Sequence, residues 1–322
     1  MDYVVLDLEW NQASDNNDSR SRLLTFEIVE IGAAKLNSRM ELTDTFHALV
    51  RPQVYEKMHK VTEKLIGIHM EELQKERTFD LVCRDFLDWC GTDCMFATWG
   101  PQDLTELQRN MRFFGMEPLG KGPFRFYDVQ KLFSIAYEDQ KSRRSLEYAV
   151  DCLQIKKDAP FHRAQSDAYY TARVLQLIKD PVALQRFSFD TFRLPEDHYS
   201  EVHVVFDSYA KYISRAFPDR DALLADREVI STRCYLCHRN LRRKVKWFSP
   251  NGKHYFSVSY CDKHGWMKGK IRVKKAENEM VYAVKTTKFV EEKELGGLME
   301  KKDHARMLRR EHRRREKDRK KE

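Results

Sequence analysis

Apolar residues in the first half of the chain gather into short aliphatic and β-branched runs separated by polar stretches. Tyr3-Val4-Val5-Leu6, FEIVEIGAAKL and similar runs predict strands near 3–9, 26–36, 43–50, 94–98 and 124–128. Elsewhere the period lengthens. Ala164, Ala168, Ala172, Val174, Leu175 and Ile178, with Pro160 just ahead, predict a helix over about 163–178. Strands interleaved with helices read as an α/β domain. Residues 183–230 are read as a bridging helical segment with packing potential and little else. After it, RRKVKWFSPNGKHYFSVSY predicts two short strands around a Pro250-Asn251-Gly252 turn. From Lys301 onward the chain has no core-forming stripe and predicts a free helix or disordered arm. At 322 residues two main domains are expected. The divisions are 1–182, the bridge 183–230, a β-rich module 231–290 and a charged tail 291–322.

Charge sharpens that division. Residues 231–322 hold 28 Lys/Arg against 12 Asp/Glu, a balance of +16, while residues 1–230 hold 30 against 38, a balance of −8. A strongly basic second half favours a polyanionic partner, and the stretch from Lys301 onward alone holds 12 cations against 5 anions. No apolar run approaches membrane-spanning length, and no Walker loop or GxGxxG is present.

Three short clusters carry candidate chemistry: Asp7-Leu8-Glu9, Asp103 after Trp99-Gly100, and His162 with Asp167 inside HRAQSDAYYTARV. A strand's period of two puts Asp7 and Glu9 on one face at the end of a buried run. Two carboxylates there repel each other and lose hydration, and a hard divalent cation such as Mg²⁺ or Mn²⁺ removes both costs. Read alone, Asp-x-Glu also fits an exposed acidic turn. Five residues separate His162 from Asp167, which on a continuous helix would turn them about 140° apart. His162 therefore approaches Asp167 only from a loop, a position suited to a general base, or to a solvent-facing or capping residue.

Residues 1 to about 180 resemble the DEDDh group of 3′-to-5′ exonucleases, which includes proofreading exonucleases, ribonuclease T, oligoribonuclease and the ERI-1-like RNA exonucleases. VVLDLEW resembles the first motif, TWGPQDL the second and HRAQSDAYYTARV the third, in the family's order. FEIVEIGAAKL is similar to the second strand, RPQVYEKMHKVTEKLIGIHMEEL to the segment leading into the substrate cleft, and SLEYAVDCLQI to the helix before the last motif. The resemblance implies a ribonuclease-H-like α/β sheet flanked by helices and two catalytic Mg²⁺ or Mn²⁺ ions. Asp7 would bridge both ions, Glu9 and Asp167 would complete the first, and Asp103 would support the second. It further implies His162 as general base, nucleoside 5′-monophosphate products, and Leu8 and Trp10 beside the terminal nucleotide. Trp10 suits base stacking or, equally, an ordinary core position. The polar stretch Asn11 to Arg22 lies beside the catalytic strand, is expected to be irregular, and is a candidate gate.

In the second half, Cys234-x-x-Cys237 and Cys261-x-x-His264 bracket the predicted hairpin. Paired knuckles joined by a hairpin resemble a zinc ribbon, with one structural Zn²⁺ held by three cysteines and a histidine. His238 is a possible substitute for His264. Disulfides fit less well, because seven cysteines is an odd number and a charged strand begins at Asp2 with no signal peptide before it. Arg239, Arg242, Arg243, Lys244 and Lys246 alternate with Trp247, Phe248, Tyr255 and Phe256, a mixture suited to phosphate contacts plus stacking. The expected protein is a cytoplasmic metal-dependent 3′-to-5′ exonuclease acting on single-stranded nucleic acid, RNA mildly favoured over DNA. A protein partner is also possible through the second half. The competing reading is a regulatory adaptor that binds nucleic acid or protein and keeps the exonuclease fold as a scaffold.

Overall fold

The computed structural model describes residues 1–13, 20, 23–276 and 278–319. The chain divides into two compact units, Met1–Arg193 and Leu194–Glu322.

The first unit runs β1 (Asp2–Gln12), β2 (Phe26–Leu36), β3 (Leu42–Leu49), α1 (Lys60–Ile66), α2 (Met70–Leu73), α3 (Phe79–Cys90), β4 (Cys94–Thr98), α4 (Gln102–Phe113), β5 (Arg125–Asp128), α5 (Val129–Tyr137), α6 (Leu146–Cys152), α7 (Ala164–Leu177), α8 (Pro181–Leu184) and β6 (Ser188–Phe189). Its sheet has the order β3-β2-β1-β4-β5-β6. β1, β2 and β3 form an antiparallel meander, and β4 lies parallel to both β1 and β5. The period of two in β1 sorts its side chains between two cores. Val4, Leu6 and Leu8 pack with Val82 and Phe86 of α3 and with Leu104, Leu107 and Met111 of α4. Val5 points the other way, into a core with Leu132 and Phe133 of α5, Ala149 of α6, and Tyr170 and Val174 of α7. Helix starts follow local chemistry. The Asp128 side chain accepts from the Lys131 amide at the head of α5, and Ser145 accepts from the Tyr148 amide at the head of α6.

Asn11 and Gln12, expected in an irregular stretch, instead complete β1. The reason is hydrogen bonding. Asn11 is fully buried, its amide donates to the Lys57 carbonyl at 2.9 Å, and its carbonyl accepts from the His59 amide at 2.8 Å. The rest of the candidate gate, apart from Ala13 and Arg20, lies outside the described residues.

The second unit holds β7 (Val202–Val205), β8 (Tyr209–Ile213), α9 (Arg220–Ala225), β9 (Arg242–Phe248), β10 (His254–Cys261), β11 (Gly265–Lys275), β12 (Val281–Phe289), a 3₁₀ turn (Glu292–Leu295) and α10 (Gly296–Arg319). The predicted hairpin is present as β9 and β10, within a six-stranded sheet of order β7-β8-β12-β11-β10-β9. The bridge is corrected here. Residues 202–213 are not helical but form a β-hairpin whose second strand pairs with β12, about 70 residues later in sequence. Its only helix among the described residues beyond Leu184 is α9, capped by the Asp219 side chain. The tail is corrected too. The stretch from Lys301 continues α10 and buries Ala305, and the segment just before it is docked, with Leu295 and Leu298 buried against Val245, Phe248 and Val258.

Candidate active site

β1 delivers Asp7 and Glu9 to the face of the sheet opposite Leu6 and Leu8, and a bulge follows between Glu9 and Trp10. α7 brings Asp167 to that face because β2 has a glycine where the helix crosses. Gly32 pairs with Asp7 across the ladder, and a Cβ added to it would lie 2.1–2.3 Å from backbone atoms of Ala164 and Gln165. Glycine in a strand interior here serves close backbone approach. As a result, ligand oxygens of Asp7, Glu9 and Asp167 all lie within 4.8 Å of one another.

Asp103 enters from the first turn of α4, is 6% exposed, and takes hydrogen bonds from the backbone at Leu8 and at Asp103 itself. Burial first, and the neighbouring carboxylates second, push Asp7 well above the usual carboxylate range. The same causes raise Glu9 to about 8. Burial raises Asp103 to about 7 and Asp167 to about 6. The two oxygens of Asp167 are bonded unequally: Oδ2 accepts from the His162 amide at 3.2 Å, while Oδ1 is buried with no hydrogen-bond partner. Such an oxygen beside two more carboxylates fits a divalent cation, whose hard charge these donors suit.

His162 precedes α7 and is exposed, with a left-handed backbone at φ 62. Its neighbour Arg163 holds a carboxylate that the motifs do not include. Arg163 Nε and Nη2 form a fork on Glu30 at 3.0–3.2 Å, and His47 Nε2 meets the same carboxylate at 2.8 Å. Glu30 sits directly opposite Glu9 in the ladder. Burial works to raise its pKa, but the bonds from His47 and Arg163 outweigh it and hold Glu30 below its usual value. The available signal was a charged residue within the apolar run FEIVEIGAAKL.

Leu8 is 3% exposed and belongs to the core, so its side chain offers no free face to a nucleotide. Trp10 is partly buried against the same core, its ring 5.4 Å from that of Phe26.

In the second unit the four zinc candidates converge. Cys234 Sγ lies 3.4 Å and Cys261 Sγ 3.5 Å from His264 Nδ1, and Cys237 Sγ lies 3.7 Å from Cys261 Sγ. A tetrahedral zinc site has S–S edges of about 3.8 Å and S–N edges of about 3.6 Å, given its usual bond lengths. The donor set and spacing therefore fit Zn²⁺, and His238 is not one of the four. Arg239, Arg242, Arg243, Lys244 and Lys246 are exposed. The expected stacking surface among them is corrected: Trp247 packs in the unit's core with its indole donating to the Ile230 carbonyl at 2.8 Å, Phe248 is buried, and Tyr255 joins the same core as Trp247.

The exonuclease family model of the RNase T type matches residues 4–175, a span that contains the three motifs and the clustered carboxylates. The chain belongs to this exonuclease family. A human relative, 3′-5′ exoribonuclease 1, is 22% identical over 171 residues, which cover 49% of this chain and 48% of that protein. The chain thus spans about half the length of the curated relative it matches. Among solved structures, the nuclease domain of 3′hExo, a DEDDh family member bound to rAMP, is 21% identical with a TM-score of 0.47, covering 54% of this chain and 90% of that one. E. coli exonuclease I in complex with a dT13 oligonucleotide is 13% identical with a TM-score of 0.42, covering 56% and 41%. In this exonuclease domain the motif residues of all three clusters lie at the C-terminal part of β1 and the heads of α4 and α7.

Proposed function

We propose that the protein is a divalent-metal-dependent 3′-to-5′ exonuclease that releases nucleoside 5′-monophosphates from single-stranded nucleic acid, with RNA favoured over DNA. The observation that carries this reading is the convergence of Asp7, Glu9 and Asp167 within 4.8 Å, partly buried and raised in pKa, with one oxygen of Asp167 unbonded. An adaptor has no use for such a cluster. The polarity and the preference for RNA follow from the likeness to 3′-5′ exoribonuclease 1.

Asp7, Glu9 and Asp167 would hold one Mg²⁺ or Mn²⁺, and Asp7 with Asp103 a second. When bound, the ions neutralise the carboxylates and stabilise the negative charge that develops on the phosphodiester and its leaving oxygen. The chain's own residues do the remainder. His162 takes the proton from the attacking water, from a loop position open to solvent. Its main chain is fixed from two sides, by its own amide on Asp167 and by the Arg163 fork on Glu30. In the second unit, Cys234, Cys237, Cys261 and His264 would hold one structural Zn²⁺; four protein ligands leave no open position for catalysis.

The test is a single strand labelled at its 5′ end, incubated with Mg²⁺. A descending ladder is expected, a 3′-phosphate should block it, and Asp7→Asn should lower the rate at least about a hundredfold. Immediate release of the labelled mononucleotide, or retained activity in Asp7→Asn, would overturn the reading. Parallel RNA and DNA strands of one sequence decide the sugar preference.

A further inference from the structure

The second unit's sheet carries a row of cations that neither the motifs nor the zinc site uses. Along β11 the inward positions Met267, Gly269 and Ile271 are buried, and the alternate positions Lys268, Lys270 and Arg272 fall on the other face. At about 3.4 Å per residue the three span roughly 14 Å. The neighbouring strands add to the row. Lys288 of β12 lies directly opposite Lys268, and His254 of β10 directly opposite Arg272. α10 borders this face: Leu298 packs with Val258 of β10, and the Lys301 ammonium lies 6.0 Å from the ring centre of Phe256.

Like charges directly opposite in a ladder destabilise a sheet. Among the described residues Lys268, Lys270, Arg272 and Lys288 form no ion pair with a carboxylate. Lys268 is half-buried, and burial together with Lys301, Lys270 and Lys288 pushes its pKa below the usual lysine range, against a weaker pull from Glu294. A polyanion laid along the row would remove that repulsion. The side chains between the cations are Val284 and Thr286, and Phe256 lies partly buried beneath Lys301, so this stretch offers charge without an open ring. The partly exposed aromatic pair on this face, Tyr260 with Trp266, sits at the opposite end of the β10–β11 ladder from Arg272.

We propose that this face, through Lys268, Lys270, Arg272 and Lys288, binds the sugar-phosphate backbone of nucleic acid without reading its bases. The proposal rests on the nucleic-acid substrate proposed above but not on catalysis, so the two are tested apart.

Binding of a fluorescein-labelled RNA of about 20 nucleotides to the full chain is followed by anisotropy in EDTA, across salt from about 50 to 300 mM. For Lys268→Gln/Lys270→Gln/Arg272→Gln/Lys288→Gln, affinity should fall at least about tenfold at low salt. The slope of log affinity against log salt should shrink by about 3, since each cation on a single strand contributes about 0.7. Wild-type protein should bind poly(A) and poly(U) alike. Melting of the quadruple variant at low salt should occur at or above the wild-type temperature, because repulsion has been removed. Should the quadruple variant fold poorly, Lys270→Glu against Lys270→Arg decides: the first should weaken binding and the second retain it. Hydrolysis of a dinucleotide in Mg²⁺ is measured separately and should not change in any of these variants. An unchanged affinity and salt slope in the variants overturns the proposal even if hydrolysis is robust. So does a loss confined to phosphatidylserine vesicles, which would make a membrane surface the occupant. A wild type that binds RNA in this way yet hydrolyses nothing refutes the exonuclease reading alone.

Discussion

Asp7, Glu9 and Asp103 are raised above ordinary carboxylates by burial and then by neighbouring carboxylates, and Asp167 by burial and then by Glu30. Between about pH 4, where such groups titrate in the unfolded chain, and the folded values of about 6 to 8, the folded state therefore holds more protons than the unfolded one. Stability without metal should fall as pH rises through that window. A divalent ion competes with protons for the same oxygens, so its benefit should grow with pH. In chelator, the melting temperature is expected to drop from about pH 5 to about pH 8. Mg²⁺ or Mn²⁺ at about a hundred times its Kd should restore about 2.7 kcal/mol at the upper pH, several degrees for a domain of this size, and clearly less at the lower. A melting temperature indifferent to metal at both pH values would show that the carboxylates share no ion. Glu30 answers to different partners. Arg163→Met leaves a buried carboxylate without its fork and should cost about 3–5 kcal/mol in urea denaturation. Adding Glu30→Gln should recover part of that loss, whereas simple additivity of the two changes would show that the pair is not coupled.

At the scale of elements, Gly32 sets the distance between β2 and α7. Gly32→Ala drives a methyl group into the backbone of Ala164 and Gln165, so the helix must retreat and carry Asp167 with it. A stability loss of about 1–3 kcal/mol is expected from overpacking, with a larger proportional loss of nucleotide release; unaltered turnover would mean that the carboxylate's placement tolerates the shift. The strands of the first unit and α7 were legible because each is long enough to show its period, and the motif carboxylates because three spaced clusters constrain one another. Glu30, His47 and Arg163 were not, since each is a lone charge whose meaning depends on partners up to 133 residues away. The 202–213 hairpin was misread for a related reason. Val202–Val205 is only four residues long, too short to display alternation, and the strand that anchors the hairpin, β12, comes much later in the chain. The docking of α10 and the 3₁₀ turn before it is hidden in the sequence because Leu295, Leu298 and Ala305 are sparse among charges.

Taken whole, the molecule's second sheet is open, with β7 at one margin and β9 at the other. An open margin leaves one row of backbone N–H and C=O groups available to any other extended chain. β7 limits the exposure by being four residues long. β9 has seven residues and must be guarded differently, and Arg242, Arg243, Lys244 and Lys246 stand exposed along it. Like charges along this margin repel the same margin of a second copy, so these four cations are expected to hinder strand-to-strand pairing. Replacing all four with threonine, which favours extended backbone, should leave the fold intact yet turn a clear solution into one that scatters light and binds thioflavin on standing, faster at higher protein concentration. A quadruple variant that stays monomeric at the highest concentration the wild type tolerates would show that the twist of the sheet, not its charge, keeps this margin from recruiting a second copy.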